Sequence, residues 1–327
     1  MNASRIAIIV AGPTCSGKSA LAMDIARHQN GVVINADSMQ VYRDLHILTA
    51  RPSVADEAQV PHRLYGVLDA AYPGSVAWWR EQALAAMEEC WASGQMPILC
   101  GGTGMYLRAL LEGLVEVPDP GEEARCEARQ LIDDIGPAAL HERLMEVDPS
   151  TAQTLRSNDS QRISRAWEVW RGTGRGLLAW RSEPGLPAAD CRFISVRLDP
   201  PRPELRASIK LRFDQMIEAG ALDEVAALVE RGLDTALPAM RAHGVPELSA
   251  VLRQDTSLEE ACDAAVLATG RYTRRQATWF RHHTLGKKED SMDLLRRYPS
   301  FEQDSENYKE KIQNFISKRV DLRGVAS

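Results

Sequence analysis

The residues best suited to chemistry lie within the first twenty positions. Gly12-Pro13-Thr14-Cys15-Ser16-Gly17-Lys18-Ser19 follows the apolar run Ile6–Ala11 and precedes a helical pattern over residues 20–28. This is the G-x-x-x-x-G-K-[ST] spacing of a phosphate loop in its required setting between strand and helix. Gly12 and Gly17 let backbone N–H groups turn toward one anion. The helix N-terminus adds positive dipole and Lys18 adds a full charge. Ser19 offers a hydroxyl to a magnesium ion on the phosphates. The loop specifies an anion and not a reaction. A nucleoside triphosphate such as ATP and an organic diphosphate both fit.

Two further segments end strand candidates. Asn35-Ala36-Asp37-Ser38-Met39-Gln40 follows the second, and Gly101-Gly102-Thr103-Gly104 follows the fourth. In an open parallel sheet such segments meet at one crevice. Asp37 could hold magnesium, act as general base on an incoming nucleophile, or cap a turn. Gln40 has the amide that pairs bidentately with an adenine edge. Thr103 can donate to a phosphate oxygen, or simply turn the chain into a helix. A third constellation is basic: Gln161-Arg162-Ile163-Ser164-Arg165, and Arg271 to Arg281 with Arg274, Arg275, Gln276, Thr278, Trp279 and Phe280. Arginine grips phosphates and aromatic faces stack on splayed bases, although each such run alone also suits a solvated helix face.

The elements that position these residues alternate. Strand candidates are 6–11, 32–35, 64–67, 97–100 and 192–198, with a helical pattern over 75–93. That order predicts βαβ units, and hence an α/β fold with a P-loop NTPase-like parallel sheet and helices on both faces. Residues 117–187, opened by Pro118-Asp119-Pro120-Gly121 and rich in arginine, read as a helical insertion. The expected divisions are 1–116, first part of the core; 117–187, insertion; 188–286, second part with C-terminal helices; and 287–327, a polar tail without assigned chemistry, whose removal is expected to leave activity intact. A long amphipathic helical stretch is expected over 204–230, a helix over 259–281 and a weak one near 308–320.

Bulk composition narrows the partners. The 327 residues carry a net charge of −6, so a nucleic acid must be met by a local basic face rather than by overall charge. No apolar run approaches the roughly 20 residues needed to span a bilayer. The six cysteines form no C-x-x-C pair, which argues against a metal cluster and for reduced thiols in a cytoplasmic protein.

Taken together, the motifs resemble one family, the bacterial tRNA dimethylallyltransferases (tRNA isopentenyltransferases). The stretches that carry the resemblance are GPTCSGKSALA (12–22), INADSMQVYRDLHILTARP (34–52), VPHRLYGVLD (60–69), PILCGGTGMYLRALLEGL (97–114), NDSQRISRAWEV (158–169), RFDQMIEAGALDEV (212–225), PAMRAHGVPEL (238–248) and RRQATWFR (274–281). They cover most of residues 5–285.

The resemblance implies transfer of a dimethylallyl group from dimethylallyl diphosphate to N6 of the adenine at tRNA position 37, in tRNAs reading codons that begin with U. It implies that the phosphate loop, residues 12–19, holds the diphosphate with Arg212 nearby and Mg2+ on Ser19. Asp37, Thr103 and Lys18 are the implied catalytic residues. It also implies an insertion that grips the anticodon stem-loop. The implied tRNA contacts are Asp37, Ser38, Met39, Gln40, Thr103, Arg125, Gln161, Arg162, Ile163, Ser164, Arg165, Arg274, Arg275, Gln276, Thr278 and Arg281. No obligate protein partner is expected, and a monomer suffices. The sequence departs from the family at His243, where members usually carry an aliphatic residue, and at Val245-Pro246, which replaces the more common tyrosine-arginine. Among alternatives, a small-molecule P-loop kinase leaves the basic stretches unexplained, and transfer to free adenine nucleotides does not require them. A non-catalytic RNA-binding module would not need Lys18, Ser19, Asp37 and Thr103 together.

Overall fold

The computed structural model describes residues 5–298 and 305–321. In the first part of the chain the elements run β1 (Ile6–Ala11), α1 (Lys18–His28), β2 (Gly31–Asn35), α2 (Val54–Gln59), β3 (His62–Arg63), α3 (Val76–Ala92), β4 (Met96–Gly101) and α4 (Gly104–Leu111). Then follow α5 (Glu122–Val147), α6 (Pro149–Ala152), α7 (Ser160–Thr173) and α8 (Leu177–Arg181). The last part holds β5 (Arg192–Leu198), α9 (Arg202–Glu218), α10 (Ala221–Glu230), α11 (Val245–Leu252), α12 (Leu258–His282), β6 (Ser291–Leu294) and α13 (Ser305–Asp321).

Two compact units result, one formed by the chain up to Leu111 together with the chain from Ala189, the other by Glu112–Ala188. The first unit is built on six strands in the order β3-β2-β4-β1-β5-β6, all paired in parallel. Near-continuous apolar strands explain this, because a parallel sheet buries both faces. Strand period two divides β1 cleanly. Ile6, Ile8 and Val10 join the core shared with Leu21 and Ile25 of α1. Ala7, Ile9 and Ala11 join the core with Trp79 and Met87 of α3 and Leu107 and Leu110 of α4. The second unit packs α5 on α7 through Ala128, Leu140, Leu144, Ile163, Ala166 and Trp167. Its long helix α5 is interrupted at Gly136, beside Pro137.

Three expectations change. Residues 64–67 are not a strand: β3 stops at Arg63, and Leu64 and Gly66 take positive φ of 63° and 61°. The 204–230 stretch is two helices, because Gly220 takes φ 97° between α9 and α10. Residues 287–327 are not merely a polar tail. β6 completes the sheet edge beside β5, and Ile312, Phe315 and Ile316 of α13 are buried against Leu21 and Ile25. The segments 299–304 and 322–327 of that expected tail lie outside the described residues. Apolar positions four apart in a charged helix gave the weak signal; the packing partner, α1, lies almost 300 residues earlier.

Ile316→Ala is expected to destabilise the protein by about 2–4 kcal/mol in urea titrations, the range for emptying a fully buried aliphatic site. A change below about 0.5 kcal/mol would mean that α13 is not part of the folded core.

Candidate active site

The strand order decides where the chemistry gathers. β1 lies between β4 and β5, and β4 separates it from β2, so the loops leaving β1, β2 and β4 open on one edge of the sheet. The first is the phosphate loop. Gly17 takes φ 90° and starts α1 without a side-chain cap. The backbone N–H groups of Gly17, Lys18 and Ser19 have no acceptor among the described residues, which leaves a helix N-terminus open to an anion. Lys18 is only 8% exposed, and no carboxylate among the described residues pairs with its ammonium. The hydroxyl of Ser16 is fully buried without a partner. Uncompensated polar groups of this kind are costly; a bound phosphate removes the cost. Ser19 is exposed.

The second loop is shaped by Asn35, which is fully buried. Its Oδ1 accepts the Asp37 N–H at 2.8 Å, and its Nδ2 donates to the carbonyls of Asp37 and Leu64, each at 3.0 Å. Trp79 donates its indole N–H to the Asn35 carbonyl at 2.8 Å and stacks on Tyr106. The Asp37 carboxylate accepts the Met39 N–H through Oδ1 at 3.0 Å. The third loop locks onto the second. Thr103 donates its N–H to the Ala36 carbonyl, and its Oγ1 accepts the Ser38 N–H at 2.9 Å. A side chain at Gly101 would strike the Ala36 carbonyl, 2.1 Å from where its Cβ would lie.

Helix α12 ties the loops together. Gln276, 5% exposed, accepts the Thr14 N–H at 2.9 Å through Oε1 and donates to the Gly102 carbonyl at 3.0 Å through Nε2. One amide therefore spans the phosphate loop and the loop after β4. Burial pushes the pKa of the Tyr272 hydroxyl well up.

Between these loops and α9 lies a cavity open to solvent, with about 650 Å³ of empty space counting the solvent at its mouth. Thr14, Cys15, Asp37 and Arg212 face it, with Leu48, Ile209, Phe213 and Met216 as apolar walls. Arg212 places Nη1 3.7 Å from the Cys15 sulfur. Leu48 and Thr49 are held in the wall by Glu224 of α10, whose carboxylate accepts the N–H groups of His46, Ile47 and Leu48 at 2.6, 2.7 and 3.0 Å.

Several expected contacts are occupied otherwise. Gln40 is 8% exposed and its Nε2 donates to the carbonyls of Thr49 and Ala50, so its amide holds a turn instead of waiting for a base edge. Gln276 is the staple described above, not a surface contact. Ile163 is fully buried in the core of the second unit. In that unit Arg125 pairs with Asp119 and Glu122, and Arg165 with Glu168 at 3.1 Å. Ser164 bonds Glu168, Gln161 is exposed, and Arg162 is 75% exposed beside Asp159. On α12 the side chains of Arg271, Arg274, Arg275, Thr278 and Arg281 are exposed at helical spacing, forming one basic stripe.

Sequence reasoning missed Glu224, Arg297 and Tyr298. Arg297 donates Nε to the Cys15 carbonyl at 2.8 Å, and the Tyr298 N–H bonds the Ser16 carbonyl at 3.0 Å. The Tyr298 carbonyl lies 1.6 Å from where a Gly17 Cβ would sit, so only glycine fits there. The Tyr298 hydroxyl bonds Asp24 of α1. These contacts reverse the expectation that the chain beyond Gly286 is dispensable.

Residues 40–283 match the IPP transferase family. The chain belongs to that family. Residues 5–71 also match the isopentenyl transferase family. The tRNA dimethylallyltransferase of Gluconobacter oxydans is 72% identical over 323 residues, spanning 99% of this chain and 97% of that protein. The full-length tRNA isopentenylpyrophosphate transferase of Bacillus halodurans superposes with a TM-score of 0.67 at 30% identity, over 98% of this chain and 97% of that one. A eukaryotic dimethylallyltransferase acting on tRNA superposes with a TM-score of 0.74 at 25% identity, over 96% of this chain and 80% of that one. Among the described residues, no helix is long and apolar enough to cross a membrane.

Gln276→Leu leaves the Thr14 N–H and the Gly102 carbonyl without their partner. Inorganic diphosphate, titrated calorimetrically, is expected to bind the variant about tenfold more weakly or worse, the scale of one or two abandoned hydrogen bonds. Unchanged affinity would show that the staple does not shape the anion site.

Proposed function

We propose that this chain transfers the dimethylallyl group of dimethylallyl diphosphate to N6 of the adenine at position 37 of tRNA, releasing diphosphate. The observation that carries the reading is the near-buried, unpaired Lys18 ammonium in a phosphate loop that shares one apolar-walled cavity with Asp37. A kinase needs the phosphate loop but has no use for the hydrocarbon wall of Leu48, Ile209, Phe213 and Met216. The family relatives above act on tRNA, and the basic stripe of α12 together with exposed Arg162 supplies phosphate-binding side chains.

The reaction is a balanced displacement. A bond forms between N6 and C1 of the allylic chain, the C1–O bond breaks, and its electron pair leaves with the diphosphate. The N6 amine is a poor nucleophile because its lone pair is delocalised into the ring. Asp37 accepts its proton, its Oδ1 being oriented by the Met39 N–H. Lys18, the open amides of α1 and Arg212 stabilise charge accumulating on the departing diphosphate. Thr103, fixed on Ser38, holds the Asp37 turn in register. The apolar wall excludes water from the allylic carbon as it gains cation character. The adenine leaves its stack to enter the cavity.

Mg2+ fits the donor set. Ser19 is exposed at the start of α1, and among the described residues no cluster of three or more His, Cys, Asp or Glu competes for a metal. Such a site suits an ion that keeps its waters and binds chiefly through substrate phosphates. When bound, Mg2+ neutralises charge on the diphosphate. The enzyme acts as a monomer in the cytoplasm, with the tRNA anticodon stem-loop and the allylic diphosphate as its two partners.

Asp37→Asn is expected to slow single-turnover transfer by about 10²- to 10⁴-fold, the usual contribution of a positioned base, while the dissociation constant for the stem-loop stays within about twofold. Wild-type turnover in the variant would remove Asp37 as the base.

A further inference from the structure

Two consecutive residues that follow β6 hold two consecutive carbonyls of the phosphate loop. Arg297 donates its Nε–H to the Cys15 carbonyl at 2.8 Å, and the Tyr298 N–H bonds the Ser16 carbonyl at 3.0 Å. Among the described residues neither carbonyl has another donor. The two bonds fix the peptide units 15–16 and 16–17, and the second of these carries the open Gly17 N–H. Cys15 takes φ 65°, where a residue with a Cβ stays only if its surroundings hold it. Arg297 lies outside the cavity lining, so its route to a bound anion runs through the loop. It also lacks the partner of an arginine that fastens the fold. Arg192 pairs with Asp290 and Arg197 with Asp293. The half-buried Arg297 guanidinium has only the Cys15 carbonyl among the described residues. A cation left without a carboxylate and aimed at one backbone oxygen serves that oxygen.

We propose that Arg297 is a positioning residue for the diphosphate. Its Nε–H holds the Cys15–Ser16 peptide in the conformation that aims the amides of Gly17, Lys18 and Ser19 at the anion. The inference rests on the transferase reading above for the identity of that anion. The segment that delivers Arg297 is itself anchored on both sides. Before it, β6 pairs with β5 from Ser195 and Ser291 to Leu198 and Leu294, and Asp293 accepts two bonds from Arg197 at 2.8 and 2.6 Å. After it, Tyr298 is 3% exposed and bonds Asp24 of α1 through its hydroxyl. The donor therefore stands on the edge of the sheet, fixed to both the strand and the helix that flank the loop. Arginine suits this task because Nε belongs to a rigid planar group, whose N–H points in one direction, whereas a lysine ammonium rotates freely.

Inorganic diphosphate, titrated calorimetrically into the full-length protein, reads the loop without the reaction. Arg297→Met is expected to bind it about tenfold more weakly or worse, the scale of one lost hydrogen bond from a charged donor, with the stem-loop dissociation constant within about twofold of wild type. The urea midpoint is expected to stay in place. For dimethylallyl diphosphate, kcat/KM is expected to fall by the same factor and mainly through KM, because the loop grips the diphosphate before and during transfer. Arg297→Gln keeps an N–H the same number of bonds from Cα as Nε but carries no charge, and is expected to recover most of the affinity. Unchanged diphosphate affinity in Arg297→Met overturns the proposal. So does Arg297→Gln binding as weakly as Arg297→Met: with an unchanged urea midpoint the role would be charge alone, and with a lowered one a brace of the fold. Stem-loop affinity falling in step with diphosphate affinity would place Arg297 on the nucleic acid and overturn it as well. A wild type that binds diphosphate but transfers nothing overturns the transferase reading, and the binding comparison still decides this one. A wild type that binds no diphosphate overturns both.

Discussion

The site depends on one buried amide. Parallel strands bring the loops after β1, β2 and β4 to the same edge but do not fix them against one another. Gln276 does, because its two ends reach the Thr14 N–H and the Gly102 carbonyl. Thr103 then takes hold of Ser38, and Asn35 shapes the turn that carries Asp37. Phosphate loop, Asp37 turn and cavity wall thus form one connected network. Helix α12 supplies the staple from its buried face and the basic stripe from its exposed face. The phosphate loop and the basic stripe are therefore tied to one helix.

The phosphate loop is held from outside as strongly as from within. Arg297 and Tyr298 bond the carbonyls of Cys15 and Ser16; the Ser16 N–H turns back onto the Pro13 carbonyl at 3.2 Å, and the Gly17 N–H, opposite the Ser16 carbonyl, stays open. This support matters because the loop stores unfavourable features. Cys15 takes a positive φ of 65°, the Ser16 hydroxyl is buried without a partner, and Lys18 lacks a counter-ion. Each is costly alone. The surrounding contacts hold the cost in place.

Much of the fold was legible because a buried parallel strand is a simple signal. Ile6–Ala11 and Arg192–Leu198 stand out as apolar runs, and Gly12 to Ser19 has a spacing with one physical use. Legibility failed where the decisive partner is remote in sequence. Gln40 looks like an amide for an adenine edge and Gln276 like a surface contact beside arginines, yet each amide is bonded to backbone 9 to 262 residues away. Ile163 lies between polar neighbours, but helical period turns it inward. The mixed sequence after Gly286 conceals β6 because an edge strand buries only one flank. His243 was visible as a departure, and the structure places it in the lining of the cavity.

The central claim is that this connected site joins an allylic carbon to one adenine amine. It is tested most directly by incubating the protein with radiolabelled dimethylallyl diphosphate and an anticodon stem-loop, beside a control in which the adenine at position 37 is replaced by guanine, and beside free AMP. The account predicts label on the first RNA and none on the control or on AMP. Label on AMP alone, or equal label on both RNAs, would contradict it.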